Sequence, residues 1–283
     1  MKFIETHAHL SDKAFNDDRN EVINKSFSSG IEKIIEISCS AKDWQNALDL
    51  GENYKNKIFP VFGIYPGYIE ELNAENLAKL QDNLKKDFCA GLGEIGLDYY
   101  WDNSKKKEQF KILDSMIDIS NRLEKICVFH TRNGKDEKND SAYMDLAAKL
   151  KNDWSFNNKK RNRGILHCFS GNWEDAKTGL DLGLLIGVNG TFTYKKNHEL
   201  REIIKKAGIE NIVLETDCPY LPPQAIRGQR NEPSQIPLIA QAISEYLSAK
   251  VEYIAGITSA NANELFSNKP FSTSEVENGL SGE

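Results

Sequence analysis

The chain has 283 residues, 40% of them hydrophobic and 28% charged, longer than a common single domain but close to the roughly 250 residues of one α/β barrel. No apolar run approaches the ~20 residues that a membrane-crossing helix needs, and Met1 leads straight into a strand-like segment without the basic and apolar regions of a signal peptide, so a soluble, cytoplasmic protein is expected. The formal net charge of -6 argues against broad polyanion binding, which needs many Lys and Arg neutralising phosphates, so a nucleic-acid substrate would have to be held locally.

Eight short apolar segments follow one another: Phe3–Thr6, Lys33–Ser38, Ile58–Phe62, Phe88–Glu94, Ile126–His130, Gly164–His167, Leu184–Val188 and Ile212–Thr216. Each is too continuous for a half-exposed antiparallel strand and suits a parallel strand covered on both faces. Between them lie stretches of helical periodicity such as Ser104–Glu124, Ala142–Leu150, Glu199–Ala207 and Ile236–Ala249. Alternating strands and helices imply a parallel sheet. Eight such units favour a closed (β/α)8 TIM barrel, a single α/β domain over residues 1–266, rather than an open doubly wound sheet. No G-x-G-x-x-G follows the first strand; Gly91-Leu92-Gly93 falls inside the fourth. Asn133–Asp140 and Asn157–Arg163 read as loops, and the polar tail 267–283 reads as disordered. Five cysteines without a C-x-x-C pair read as reduced thiols rather than a disulfide framework.

Four of the five histidines fall where a predicted strand ends: His7 and His9 after the first, His130 after the fifth and His167 after the sixth. Glu94 closes the predicted fourth strand and Asp217 follows the eighth; catalytic groups of this fold gather at that face. Residues i and i+2 of a strand point the same way, so His7 and His9 can converge on one cation while Ala8 leaves space. Imidazole with carboxylate suits zinc, manganese or iron, with magnesium possible through the acids. Six ligands exceed the three that an open catalytic site commonly takes from the protein, which favours two divalent cations sharing Glu94. A lone His near a strand end is ordinarily a hydrogen-bonded core residue; four at matching strand ends favour metal. His198, in a charged segment without a partner acid, reads as a solvated surface residue. The runs Lys106-Lys107 and Lys159-Lys160-Arg161 likewise read as solvated faces.

The blocks Glu5-Thr6-His7-Ala8-His9-Leu10, Gly93-Glu94-Ile95-Gly96-Leu97-Asp98-Tyr99-Tyr100, Phe129-His130-Thr131-Arg132, Leu166-His167-Cys168-Phe169-Ser170-Gly171 and Glu215-Thr216-Asp217-Cys218-Pro219-Tyr220 resemble signatures of the TatD family of deoxyribonucleases. Arg227-Gly228 and Arg230-Asn231-Glu232-Pro233 extend the likeness, and Asn261–Phe266 resembles the family's final helix. The resemblance implies one metal held by His7, His9, Glu94 and Asp217 and a second by Glu94, His130 and His167. It also implies magnesium- or manganese-supported hydrolysis of DNA, often as an exonuclease from the 3′ end. DNA, as single strands or 3′ ends, is the expected partner, and neither a membrane nor an obligate protein partner is expected. Glu94 and Asp217 are then the catalytic carboxylates, with Asp217 accepting a proton from water.

Arg132 is placed to grip a phosphate with its fork of donors. Arg227 and Arg230 follow the eighth strand, where barrels of this kind often bind phosphate; substrate contact and structural pairing are both open to them. Tyr99, Tyr100 and Trp101 offer faces for stacking on bases, although packing under the next helix is favoured. Cys168 and Cys218 each follow a ligand and should point to the opposite face. One departure stands out: where the family commonly has His-Pro-His after the third strand, this chain reads Gly63-Ile64-Tyr65-Pro66-Gly67, leaving the Tyr65 hydroxyl as a partial substitute near the substrate. The rival readings are an amide, lactone or phosphotriester hydrolase, many of which bridge their metals with a modified Lys on the fourth strand, and a catalytically weakened nucleic-acid-binding protein. No Lys lies between Phe88 and Tyr100.

Overall fold

Uninterrupted apolar segments become strands with both faces covered. A computed structural model describes residues 1–136, 140–155 and 162–267, so Lys159, Lys160, Arg161 and all of the expected tail but Ser267 lie outside the described residues. Its strands are β1 (Phe3–Ala8), β2 (Ile31–Ser38), β3 (Ile58–Phe62), β4 (Gly91–Asp98), β5 (Cys127–Arg132), β6 (Gly164–His167), β7 (Leu184–Val188) and β8 (Ile212–Leu214). They form one eight-stranded sheet in sequence order, every neighbouring pair parallel. The ring closes just past β8: Ala8 bridges Cys218, the Asp217 N–H donates to the His7 carbonyl at 2.9 Å and the His9 N–H to the Cys218 carbonyl at 3.0 Å. The expected barrel is the fold observed.

The helices are α1 (Arg19–Ser28), α2 (Trp44–Asn53), α3 (Ala74–Leu84), α4 (Lys106–Leu123), α5 (Ala142–Asp153), α6 (Trp173–Asp181), α7 (His198–Ala207), α8 (Ile236–Leu247) and α9 (Val251–Phe266). Several begin on side chains that satisfy the orphan N–H groups of the first turn. Asn73 caps α3 and Ser141 caps α5, while Asn172 and Asp175 form a reciprocal capping box at α6. Among the described residues no helix is long and apolar enough to cross a membrane.

Two apolar clusters divide the core. The larger lies between barrel and helices. The smaller joins Ile4, Ile35, Val61, Val128, Ile165, Leu185 and Val213 inside the barrel to Ala262 and Leu265 of α9, so the last helix plugs the N-terminal end of the strands. Ile37 belongs to this cluster and also lines the cavity at the other end.

Two strand boundaries differ from expectation, and both matter for the site. β4 spans Gly91–Asp98, not Phe88–Glu94. Phe88 instead packs against Gly51 of α2, which explains its apolar character without strand pairing. Glu94 therefore sits mid-strand, and the register with β5 slips between Gly93 and Ile95. A bulge of this kind re-aims a side chain without ending the strand. Gly96 follows at φ +139°, where an added Cβ would lie 2.0 Å from the His130 carbonyl oxygen; only glycine allows β4 and β5 to meet there. β8 ends at Leu214, shorter than expected: the Thr216 N–H donates to the Glu5 carboxylate at 3.0 Å rather than to a backbone carbonyl of a neighbouring strand, and Asp217 lies at φ +59°.

Candidate metal centre

The C-terminal ends of the strands open into a cavity of about 660 Å³, a size suited to a small-molecule or chain-end substrate. His9, Glu94, His130, His167 and Asp217 line it, and His7 lies fully buried behind them. The structure thus brings all six expected residues together. The Nε2 atoms of His7 and His9 are 3.2 Å apart. Asp217 Oδ1 is 3.7 Å from His7 Nε2, 3.5 Å from His9 Nε2 and 3.6 Å from His167 Nε2. The His7 and His167 rings stack at 3.3 Å between centroids.

Glu94 faces two ways. Its Oε2 is 3.8 Å from His7 Nε2, whereas its Oε1 is 2.6 Å from His130 Nδ1 and 3.8 Å from His167 Nε2. One carboxylate oxygen addresses the His7 ring and the other the His130 and His167 rings.

Charge in the site is distributed accordingly. Burial lowers the His7 pKa well below its ordinary value, and the neighbouring His167, His9 and His130 push it further down. Burial opposes a charge on His9 too, but Asp217, Glu94 and Glu36 outweigh it and hold that ring at about 9. His130 shows the same contest, with burial overcome by Glu94 and Asp98, and ends at about 9. In return, Glu94, which burial alone would raise, is held at about 2 by His130 and His167. Protons on His9 and His130 therefore do the neutralising work that a cation would otherwise do.

These residues fit divalent cations. Ligands about 2.0–2.2 Å from a metal sit roughly 3.0–3.5 Å from one another, close to the spacings around Asp217 Oδ1. His7 Nδ1 is buried without a hydrogen-bond partner, so the polar contacts of its ring all lie on Nε2, the side that faces His9, Glu94 and Asp217. His9 Nδ1 is 3.0 Å from the Ile37 carbonyl oxygen, which orients the ring with Nε2 toward the centre, as a metal-bound imidazole requires.

Two carboxylates went unrecognised among the expected residues. Asp98 Oδ2 is 2.9 Å from His130 Nε2, and Glu215 Oε1 is 3.1 Å from His167 Nδ1, near enough to pair as charges though off the line of a hydrogen bond. Glu215 also accepts the Cys168 N–H at 2.7 Å, and a Cβ on Gly187 would lie 2.4 Å from its Oε2. The acid two residues before Asp217 was a signal for Glu215. Asp98 offered none until β4 was seen to run to its end.

The expected substrate contacts separate into two groups. Arg132 and Tyr65 line the cavity, Arg132 with its guanidinium 3.7 Å above the Tyr100 ring. The Tyr65 hydroxyl, however, donates to Asp98 Oδ2 at 2.6 Å, so it faces a carboxylate and not open cavity. Of the two readings open to it, Arg230 takes the structural pairing: it bonds Asp18 through two nitrogens at 2.9 and 2.5 Å and the Ala14 carbonyl at 2.6 Å, joining the loop after β8 to the start of α1. Arg227 stacks on Tyr194 at 4.6 Å. Neither arginine is among the residues lining the cavity.

The three aromatic residues also part company. Tyr99 is buried with its hydroxyl on Asp145 at 2.8 Å, as packing under a helix requires. Trp101 is 74% exposed and lines the cavity, contrary to that expectation. Cys168 is a correction. Strand alternation fails there because the residue lies beyond β6 at φ +47°; its side chain lines the cavity with ligand atoms of His167 and Asp217 within 4.8 Å. Burial pushes its thiol well above the ordinary range, so it stays protonated. Cys218 is fully buried. His198 is exposed at the start of α7, near Arg201, and Lys106 pairs with Asp140 at 2.7 Å.

Known proteins share this arrangement of sequence and fold. The profile of the family described as TatD related DNase matches residues 4–267. The chain is 29% identical over 262 residues to an uncharacterized metal-dependent hydrolase of Bacillus subtilis, YabD, a match covering 93% of this chain and 98% of that protein. It is 28% identical over 263 residues to a Pantoea ananatis protein named 3′-5′ ssDNA/RNA exonuclease TatD, covering 91% of this chain and 96% of the relative. The crystal structure of YjjV, a TatD homolog from Escherichia coli, superposes with a TM-score of 0.83 at 29% identity, covering 95% of this chain and 98% of that one.

Proposed function

This chain belongs to the family of TatD related DNases and is a metal-dependent hydrolase, and from that premise we propose that it hydrolyses DNA phosphodiester bonds as a 3′-5′ exonuclease on single strands. The observation that carries this reading is the two-sided placement of Glu94, one oxygen toward His7 and the other toward His130 and His167. His7, His9, Glu94 and Asp217 would hold one divalent cation; Glu94, His130 and His167 would hold the other. When bound, such a pair makes water more acidic and offsets charge on phosphate oxygens, with magnesium or manganese supporting activity and zinc or iron also compatible with the donors.

The chain's own residues supply the rest. Asp217 turns Oδ1 toward three imidazoles, which leaves Oδ2 to accept the proton of an attacking water. Arg132, stacked on Tyr100 at the cavity wall, presents a planar fork for a phosphate. Hydrophobic walls such as Ile37 and Leu221 limit water around the scissile group. An amide or ester hydrolase of the same fold is the competing reading; the presence of Glu94 where many such enzymes bridge metals with a modified Lys speaks against it.

End-labelled single-stranded DNA incubated with magnesium, with manganese or with EDTA should give a ladder that shortens from the 3′ end only when metal is present. Glu94→Ala should slow this by on the order of 10³-fold, the several kcal/mol that a paired-cation site contributes. Absence of cleavage by metal-loaded wild-type protein would turn the assignment toward amides or esters.

A further inference from the structure

Behind His130 lies a group of buried polar contacts that the six-residue centre does not include. Asp98, the last residue of β4 and only 3% exposed, is fixed on every side. Its Oδ2 accepts from the Tyr65 hydroxyl at 2.6 Å and lies 2.9 Å from His130 Nε2, and its Oδ1 accepts the Tyr100 N–H at 2.9 Å. The backbone is held as firmly: the buried side chain of Gln109 on α4 accepts the Asp98 N–H at 2.8 Å and donates to its carbonyl at 2.6 Å. The Tyr65 ring also meets His130 edge-on, 5.0 Å between centroids.

We propose that Asp98, clamped by Tyr65, is a positioning residue that fixes the tautomer and direction of His130 and so sets the affinity of the cation shared by Glu94, His130 and His167. The inference rests on the two-cation reading above. His130 has two ring nitrogens, and both are claimed: Nδ1 is 2.6 Å from Glu94 Oε1 and Nε2 is beside Asp98. A carboxylate accepting the Nε2 proton leaves the Nδ1 lone pair directed to the Glu94 side, which is the form a metal-binding imidazole must take. Tyr65 then does a different job from a phosphate ligand. Its hydroxyl donates to Asp98 Oδ2, a second hold on a buried carboxylate whose other oxygen accepts the Tyr100 N–H, and so keeps Oδ2 beside His130. The loop after β3 is thereby tied to the second cation rather than to the substrate, and of the first cation's residues His7, His9 and Asp217 form no hydrogen bond or ion pair with Asp98 or Tyr65.

Zinc titration of the full chain, stripped of metal and placed in competition with a chromophoric chelator, tests this without any nucleic acid. Wild-type protein should bind zinc in two steps. Asp98→Asn should weaken one step by about 10–100-fold, the usual effect of losing a carboxylate behind a metal-bound His, and leave the other step unchanged. Tyr65→Phe, which keeps the ring, should weaken the same step by a smaller factor, and the double variant should bind no more weakly than Asp98→Asn alone. Unchanged binding in both variants, or equal weakening of both steps, would overturn the proposal; if Asp98→Asn fails to fold, Tyr65→Phe still decides it. Two-step binding by a wild-type protein that leaves DNA intact would remove the nuclease reading and leave this inference standing.

Discussion

At the N-terminal end of the barrel, Ile4, Val61, Ile165, Leu185 and Val213 pack against Ala262 and Leu265 of α9, and the buried Asn261 beside them donates to the Ile209 and Ile212 carbonyls at 3.0 and 2.8 Å. At the other end the same strands, or the residues just past them, carry Glu5, Glu36, Glu94, His167 and Glu215, all buried. The contrast shows how one scaffold separates two tasks. Apolar burial at the closed end contributes roughly 25 cal/mol for each Å² removed from water, whereas the open end concentrates charges that cost free energy to bury unless they pair or hold an ion. Chemistry is therefore placed where the fold is least stable on its own terms and held there by the end that is most stable.

A cavity at the closed end should break only half of this arrangement. Leu185→Ala is expected to cost about 2–5 kcal/mol, lowering the melting temperature by on the order of 10 °C, while zinc affinity per folded molecule stays at the wild-type value. A parallel loss of metal affinity, measured by the same chelator competition, would mean that the two ends are not separable.

A smaller effect should appear with pH and only at the open end. In the ion-free protein His9 and His130 sit at about 9, above the ordinary 6.5. The folded state thus holds these protons more tightly than the unfolded chain, and the stabilisation is complete below pH 6.5 and lost as pH rises through about 9. Glu5 and Glu36, pushed by burial from 4.5 to about 8 and about 7, act in the same direction, their stabilisation being lost as pH rises through those values. Thermal melts in EDTA should therefore fall in midpoint between pH 6.5 and 9, and saturating zinc should remove most of the fall by displacing the protons. A midpoint that is flat with pH in EDTA would contradict the charge assignment.

The same contrast explains what was legible in the amino-acid sequence. The barrel was readable because buried parallel strands are uninterrupted apolar runs, and the six-residue cluster because His is scarce and each one stood at a strand end. Local rules failed where the backbone left regular geometry. Strand alternation sent Cys168 outward, but its positive φ turns it into the cavity. The apolar run at Phe88 suggested an early fourth strand, which placed Glu94 at its end and hid Asp98. For Arg230 substrate contact and structural pairing were equally open, because its partner Asp18 lies more than 200 residues away in sequence. Single acids near apolar strands are common, so Asp98 and Glu215 become meaningful only beside the imidazoles they support.

The most direct test of the account is the anomalous scattering of manganese in crystals of the full chain. The account predicts two peaks, roughly 3.5–4 Å apart as in other paired-cation sites, one among His7, His9 and Asp217, the other beside His130 and His167, with Glu94 between them. A single peak, or a pair that leaves Glu94 uncoordinated, would contradict it.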